Sequence, residues 1–280
     1  MILKGKGKGQ VLNEHSSRYF REWKIEDPKA NVLLVHGLGE HSGRYQHVGK
    51  YFAEAGYNVY SGDLTGHGQS AGERGHIMSV DEYIEDIQGI LKRIDNNKPI
   101  FLLGHDLGGL LVLYYGVFVE NENVQGIIAL SPYIREKRPI SSMKQAFVGV
   151  VNKLSPDSQL PNWIDPVNLS HDEKVVEAFI NDELNHSSIT VGWYSAMKKA
   201  RRSLMENAHD FKYPCLIIQA EDDLIVDPYG ASDVFSKIGF EDKDFEMLSD
   251  MYHEVLNEPD HDVVLEKIEN WIEGRMYEEV

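Results

Sequence analysis

A single cysteine, Cys215, stands among 280 residues. That scarcity excludes an internal disulfide and a zinc site built from several thiolates. Cys215 lies in Tyr213-Pro-Cys-Leu-Ile-Ile, an apolar run that reads as a buried strand, so a core thiol is expected rather than a reactive one. No apolar run approaches membrane-spanning length. The basic N-terminal stretch Met1-Ile-Leu-Lys-Gly-Lys-Gly-Lys-Gly is followed by no apolar segment of the signal-peptide kind. Cations are also in deficit: 28 Lys and Arg against 45 Asp and Glu give a formal net charge of −17 at pH 7. A surface of that sign repels nucleic acid and anionic membranes, and solubility accounts for it. Together these deficits lead us to expect a soluble, cytoplasmic protein with no nucleic-acid partner.

What is present is an ordinary globular composition, 42% apolar and 26% charged, on a chain long enough to bury a substantial core. Short β-rich apolar runs alternate with amphipathic ones. Strands are predicted from Asn31 through Val35 and Tyr57 through Gly62, and at Pro99–Gly104, Val124–Ser131, Cys215–Ala220 and Asp244–Leu248. Between them, spacings such as Tyr83, Ile84, Ile87, Ile90, Leu91 and Ile94 follow a helical face. The alternation implies an α/β fold with a mostly parallel sheet covered on both faces. It breaks between residues 134 and 208, where Ser141–Leu154, Glu173–Ile180 and Ser188–Asn207 read as helices and no strand is evident. The expected organisation is one core domain, 1–133 with 209–280, and a helical cap, 134–208, inserted above the site.

Open α/β sheets bind ligands beyond the C-terminal ends of their strands. Reactive residues follow several of the predicted strands: His36, Asp63, Asp106, Asp222 with Asp223, and His253. The stretch Gly104-His-Asp-Leu-Gly-Gly has the shape of the G-x-S-x-G turn that lifts a nucleophile above a sheet, with Asp106 in place of the serine. Gly104, Gly108 and Gly109 suit the close strand–helix approach of such a turn.

Five segments in order carry a family resemblance: Val32-Leu-Leu-Val-His-Gly-Leu-Gly-Glu-His-Ser-Gly-Arg-Tyr, Asp63-Leu-Thr-Gly-His-Gly-Gln-Ser, Gly104-His-Asp-Leu-Gly-Gly, Glu221-Asp-Asp-Leu-Ile-Val-Asp-Pro and Tyr252-His-Glu-Val-Leu-Asn-Glu-Pro. The chain resembles the α/β-hydrolases, and within them the monoacylglycerol lipase and lysophospholipase branch. The resemblance implies His253 as the base and Asp223, rather than Asp222, as the acid that orients it. It implies an oxyanion hole from the backbone N–H groups of Leu38 and Leu107. Glu40 and Arg44 match the branch's polar pair near the first core loop, where they brace the loop by a salt bridge or meet a glycerol-like head group. His67 is expected to be structural. Tyr194, beside Trp193, is expected in cap packing or along an acyl channel. Neither cofactor nor metal is implied, and the expected ligand is a small lipid or ester. Membrane contact is expected to be at most transient and through the cap, where the segment Ala146-Phe-Val-Gly-Val-Val is apolar enough to provide it, although packing within the cap is the first expectation.

Asp106 complicates the activity. A carboxylate has no proton to surrender at neutral pH, and two carboxylates flanking His253 favour its charged form. That fits a lipase-type protein whose serine step is altered or disabled. Haloalkane dehalogenases, fluoroacetate dehalogenases and epoxide hydrolases share the fold and place aspartate at this turn, so an aspartate-nucleophile hydrolase is the alternative. Leu107 stands where many dehalogenases hold halide with tryptophan, and Tyr194 has no evident partner for activating an oxirane. A non-catalytic lipid-binding protein is the third possibility.

Overall fold

The structure, a computed structural model, describes residues 10–11, 18–95, 97–139 and 141–276. The Lys-Gly segment at the N-terminus lies outside them. In chain order the elements are β1 (Gln10–Val11), β2 (Tyr19–Trp23), β3 (Asn31–Val35), α1 (Gln46–Glu54), β4 (Asn58–Gly62), α2 (Asp81–Leu91), β5 (Ile100–His105), α3 (Leu107–Phe118) and β6 (Val124–Leu130). After β6 come α4 (Ser142–Leu154), β7 (Gln159–Pro161), α5 (Glu173–Asn181), β8 (Ser188–Thr190) and α6 (Val191–Asn207). The core resumes with β9 (Cys215–Ala220), α7 (Pro228–Lys237), β10 (Lys243–Leu248) and α8 (His261–Met276).

The described strands form an eight-stranded sheet in the order β1-β2-β4-β3-β5-β6-β9-β10. From β4 to β10 the pairings are parallel, while β2 runs antiparallel to β4 and β1 antiparallel to β2. The central strands are apolar on both faces because both faces are covered. Leu33 and Val35 of β3 join one cluster with Leu102, Ile127, Ile217 and the inner faces of α2, α3 and α6. Val32 and Leu34 join the opposite cluster with Phe101, Leu103, Ile128, Leu216 and side chains of α1 and α8. Each of these buried aliphatic side chains contributes about 1.5–3 kcal/mol. Cys215 is buried within the first cluster, and burial pushes its thiol pKa upward, as a core thiol requires.

Several strands lie outside the sequence expectation. β2 was not foreseen: its pattern, Tyr-Phe-Arg-Glu-Trp, lacks a continuous apolar run because it lies toward the sheet edge with Arg21 and Glu22 half-buried. The segment between β6 and β9 also contains strand, since Gln159–Pro161 pairs antiparallel with Ser188–Thr190. Three-residue strands are too short for a period-2 pattern to register. Ser188–Thr190 therefore belongs to β8 rather than to the helix, which starts one residue later where the Thr190 hydroxyl accepts the Trp193 N–H at 3.1 Å.

α4 carries a second correction. The structure leaves Phe147 69% exposed and Val150 58% exposed, with Leu154 further along the same stripe at 81%, while Val148 and Val151 turn inward. Packing of the whole apolar segment is thus not observed; one helix face remains outside. The side chain of Ala146 lies outside the described residues.

Candidate active site

The elbow is a steric construction. β5 ends at His105 and α3 begins at Leu107, so Asp106 must reverse the chain alone, at φ +50° and ψ −111°. Such a conformation costs a non-glycine residue about 1–3 kcal/mol and persists only where its surroundings enforce it. Here the Asp106 N–H donates to Leu130 O at 3.0 Å, and its carbonyl accepts from Tyr133 N–H at 2.9 Å and Leu110 N–H at 3.0 Å. The crossing is tight: a Cβ on Gly104 would lie 2.2 Å from Gly108 O, and one on Gly108 would lie 2.0 Å from Val35 O. Only glycine fits at either position.

Five of the residues singled out from the sequence converge at this turn. Asp106 Oδ2 accepts the Leu38 N–H at 2.9 Å, and Asp106 Oδ1 lies 3.6 Å from His253 Nε2. His253 Nδ1 lies 2.8 Å from Asp223 Oδ2. Asp223 is itself fixed, accepting from the N–H groups of Ile225 at 2.8 Å and Val226 at 2.9 Å and from the Gln219 amide at 3.1 Å. Asp222, by contrast, is exposed. The Leu107 N–H donates to no acceptor among the described residues, so Leu38 alone of the expected pair holds the carboxylate.

Burial alone would lower the pKa of His253. The Asp223 carboxylate, followed by Asp106, outweighs it and raises the value well above 6.5. Burial would raise Asp223, and the charge of His253 with the two backbone N–H bonds pulls it below its ordinary value. Two neighbouring aspartates therefore favour the charged form of the imidazole. His105, packed at 4.8 Å between ring centroids, is lowered by burial and then by His253, and stays neutral.

Glu40 and Arg44 do not reach into this triad. Glu40 Oε1 accepts the Gly37 N–H and the Tyr45 hydroxyl, both at 2.6 Å, and Glu40 Oε2 accepts from Arg44 at 2.6 Å. Arg44 also bonds Glu254, a residue that sequence reasoning missed because nothing distinguishes an acid in Tyr252-His-Glu-Val-Leu from a surface residue. Burial would raise Glu40, but Arg44, followed by His105 and His36, draws it well below the usual carboxylate range. Glu40 and Arg44 thus form an ion pair in the loop that follows β3.

Tyr194 is buried in α6, and burial, followed by the charge of Glu136, raises the pKa of its phenol. Tyr133 donates to the same Glu136 at 2.9 Å, and Arg201 bonds it at 2.9 Å. Trp193 packs at 6.1 Å on Tyr133 and donates to the Tyr83 hydroxyl at 3.0 Å. His67 is buried against His36, with Nδ1 donating to Thr65 O at 3.1 Å, and burial holds it neutral. Asp63 organises the adjacent loops, accepting from Ser42 N–H at 2.9 Å and Gln69 N–H at 2.7 Å. Among the described residues no cluster of three or more His, Cys, Asp or Glu side chains could hold a metal, and no helix is long and apolar enough to cross a membrane.

A parallel sheet, a strand–elbow–helix turn, and acid and histidine in that order after later strands define an α/β-hydrolase. Residues 26–260 match the family described as Serine aminopeptidase, S33, and the chain belongs to that family. It falls in the monoacylglycerol lipase-like branch, whose fold is that of lipase- and esterase-type hydrolases. The chain is 31% identical over 250 residues to the monoacylglycerol lipase of Mycolicibacterium smegmatis, covering 88% of this chain and 89% of that one. An uncharacterized abhydrolase domain-containing protein of Dictyostelium discoideum is 36% identical over 89% of this chain, which spans only 27% of that relative. The crystal structure of the Paleococcus ferrophilus monoacylglycerol lipase superposes with a TM-score of 0.81 at 31% identity, covering 93% of this chain and 99% of that one.

Proposed function

We propose that this chain is a monoacylglycerol lipase-type protein that receives acylglycerols or small carboxylic esters, and that Asp106 has disabled its serine-type turnover. The observation that carries the proposal is the position of the Asp106 carboxylate: one oxygen on the Leu38 N–H and the other facing His253. An ester would place its developing oxyanion on that N–H, and a nucleophilic hydroxyl would surrender its proton to that imidazole. The carboxylate occupies both roles and offers neither a proton nor a free base. In this reading His253 is the base of the ancestral chemistry, Asp223 its orienting acid, and Leu38 with Leu107 the oxyanion donors. The segment 134–208 acts as the cap, and Glu40 and Arg44 support the loop rather than the head group. The exposed stripe Phe147, Val150 and Leu154 is where brief membrane contact by the cap would occur.

A carboxylate nucleophile attacking an sp³ carbon would use the same three residues. For an epoxide, though, two hydroxyls must polarise the oxirane, and the Tyr133 hydroxyl is already committed to Glu136 at 2.9 Å, which leaves Tyr194 without a partner. That commitment favours the lipase-type reading.

The deciding experiment is Asp106→Ser, assayed on monoacylglycerols and short p-nitrophenyl esters, beside fluorophosphonate labelling of both proteins. The expected result is no labelling of the native chain, and in the variant labelling with a gain in ester hydrolysis of at least about 10²-fold, a small part of the roughly 10⁶-fold that a serine nucleophile can supply. Strong labelling of the native chain, or no gain in the variant, refutes the proposal.

A further inference from the structure

The N–H that faces Asp106 and the imidazole beside it come from two separate excursions of the chain, one after β3 and one after β10. A buried run of hydrogen bonds joins them. Gly37, whose peptide carries the Leu38 nitrogen, donates its own N–H to Glu40 Oε1 at 2.6 Å. Glu40 Oε2 accepts from Arg44 at 2.6 Å. Arg44 then forks onto Glu254, Nη1 to Oε1 at 2.5 Å and Nη2 to Oε2 at 2.7 Å. Glu254 is the residue immediately after His253.

Charge balance does not call for Glu254. Arg44 is already matched by Glu40, so a second buried carboxylate leaves the group with net negative charge, and a buried surplus charge is costly unless fully bonded. Glu254 is fully bonded: besides Arg44 it accepts from the Asn257 amide at 2.9 Å, and it is only 2% exposed. Its own N–H donates to Leu169 O at 2.8 Å, and Phe179 of α5 lies against the guanidinium at 4.8 Å. What the fork adds is geometry, because two parallel bonds between planar groups restrain both distance and orientation.

We propose that Glu254 is a positioning residue: through Arg44 and Glu40 it locks the Leu38 N–H in register with His253, so that oxyanion donor and base move as one body. The proposal rests on the roles given to Leu38 and His253 above, and its test separates the two. Amide hydrogen exchange is measured by NMR on the chain as it stands, on Glu254→Gln, on Arg44→Lys, and on the double variant. Each single substitution is expected to speed exchange of the Leu38 amide at least tenfold, while β5 and α3 amides keep their protection. The double variant is expected to add nothing further, because both changes cut the same link. Unchanged Leu38 exchange in Glu254→Gln, or acceleration spread evenly over β5 and α3, overturns the proposal in favour of a merely structural pair.

A second arm uses the Asp106→Ser background, where Glu254→Gln is expected to lower kcat for ester hydrolysis at least tenfold with KM within twofold. An equal fall shared by KM counts against positioning. Should Asp106→Ser hydrolyse nothing, the assigned roles fail while the exchange result alone still decides the clamp.

Discussion

Asp106 concentrates the chemistry of this protein in one side chain. A serine there would present a neutral hydroxyl to His253, whereas the carboxylate presents a charge that the imidazole answers by holding a proton. Because the folded pKa of His253 lies above its ordinary 6.5, the stabilisation is present in full below that value and is lost as pH rises through the raised folded value. NMR of the ring nitrogens should find His253 doubly protonated at neutral pH in the native chain. In Asp106→Asn its titration should move down, since one of the two anions is gone. A native His253 titrating near 6.5 would contradict the geometry. The identities of Asp106, Asp223 and His253 were legible in the sequence from their places after strands and from the family segments. The capture of Leu38 by Asp106 was not, because a backbone donor leaves no trace in residue identity.

At the scale of elements, the elbow is the most constrained junction. α3 can approach β3 and β5 only because Gly104 and Gly108 carry no Cβ. Gly108→Ala would push a methyl group into Val35 O and His36 O, and should destabilise the protein by about 1–3 kcal/mol or more, read as a lower urea midpoint with unchanged slope. A neutral outcome would mean that α3 can shift away from the sheet. The amphipathic helices were readable from their spacing and the buried parallel strands from their apolar runs. β2, β7 and β8 were not, because edge position, half-burial or three-residue length removes the pattern on which such reading depends. The outward stripe of α4 was ranked behind internal packing for a related reason. Apolar content alone does not say which face of a helix finds a neighbour.

The whole molecule carries a set of buried histidines with a common behaviour. Burial lowers the pKa of His36, His67, His105 and His186, against the opposite shift of His253. His36 shows the consequence directly: Nδ1 donates to Gly37 O at 2.8 Å while Nε2 accepts from Leu64 N–H at 2.9 Å, an arrangement only the neutral ring can make. For these groups stability is complete above the unfolded value and falls as pH drops below it. Urea unfolding should therefore weaken between about pH 7 and pH 5, with protons taken up on unfolding. Constant stability over that range would show that the rings titrate alike in the folded and unfolded chains.

The sequence by itself determined the α/β architecture, the order of the site segments and the anomaly at the elbow. These rest on periodicity, glycine placement and residue identity, all of which are local properties of the chain. Only the tertiary structure decided that the Asp106 carboxylate sits on the Leu38 N–H, that the Tyr133 hydroxyl is spent on Glu136, and that Glu254 ties one loop to another through Arg44. Those contacts join residues as much as 210 positions apart. Their existence depends on how separate excursions of the chain meet above the sheet, which no local pattern encodes.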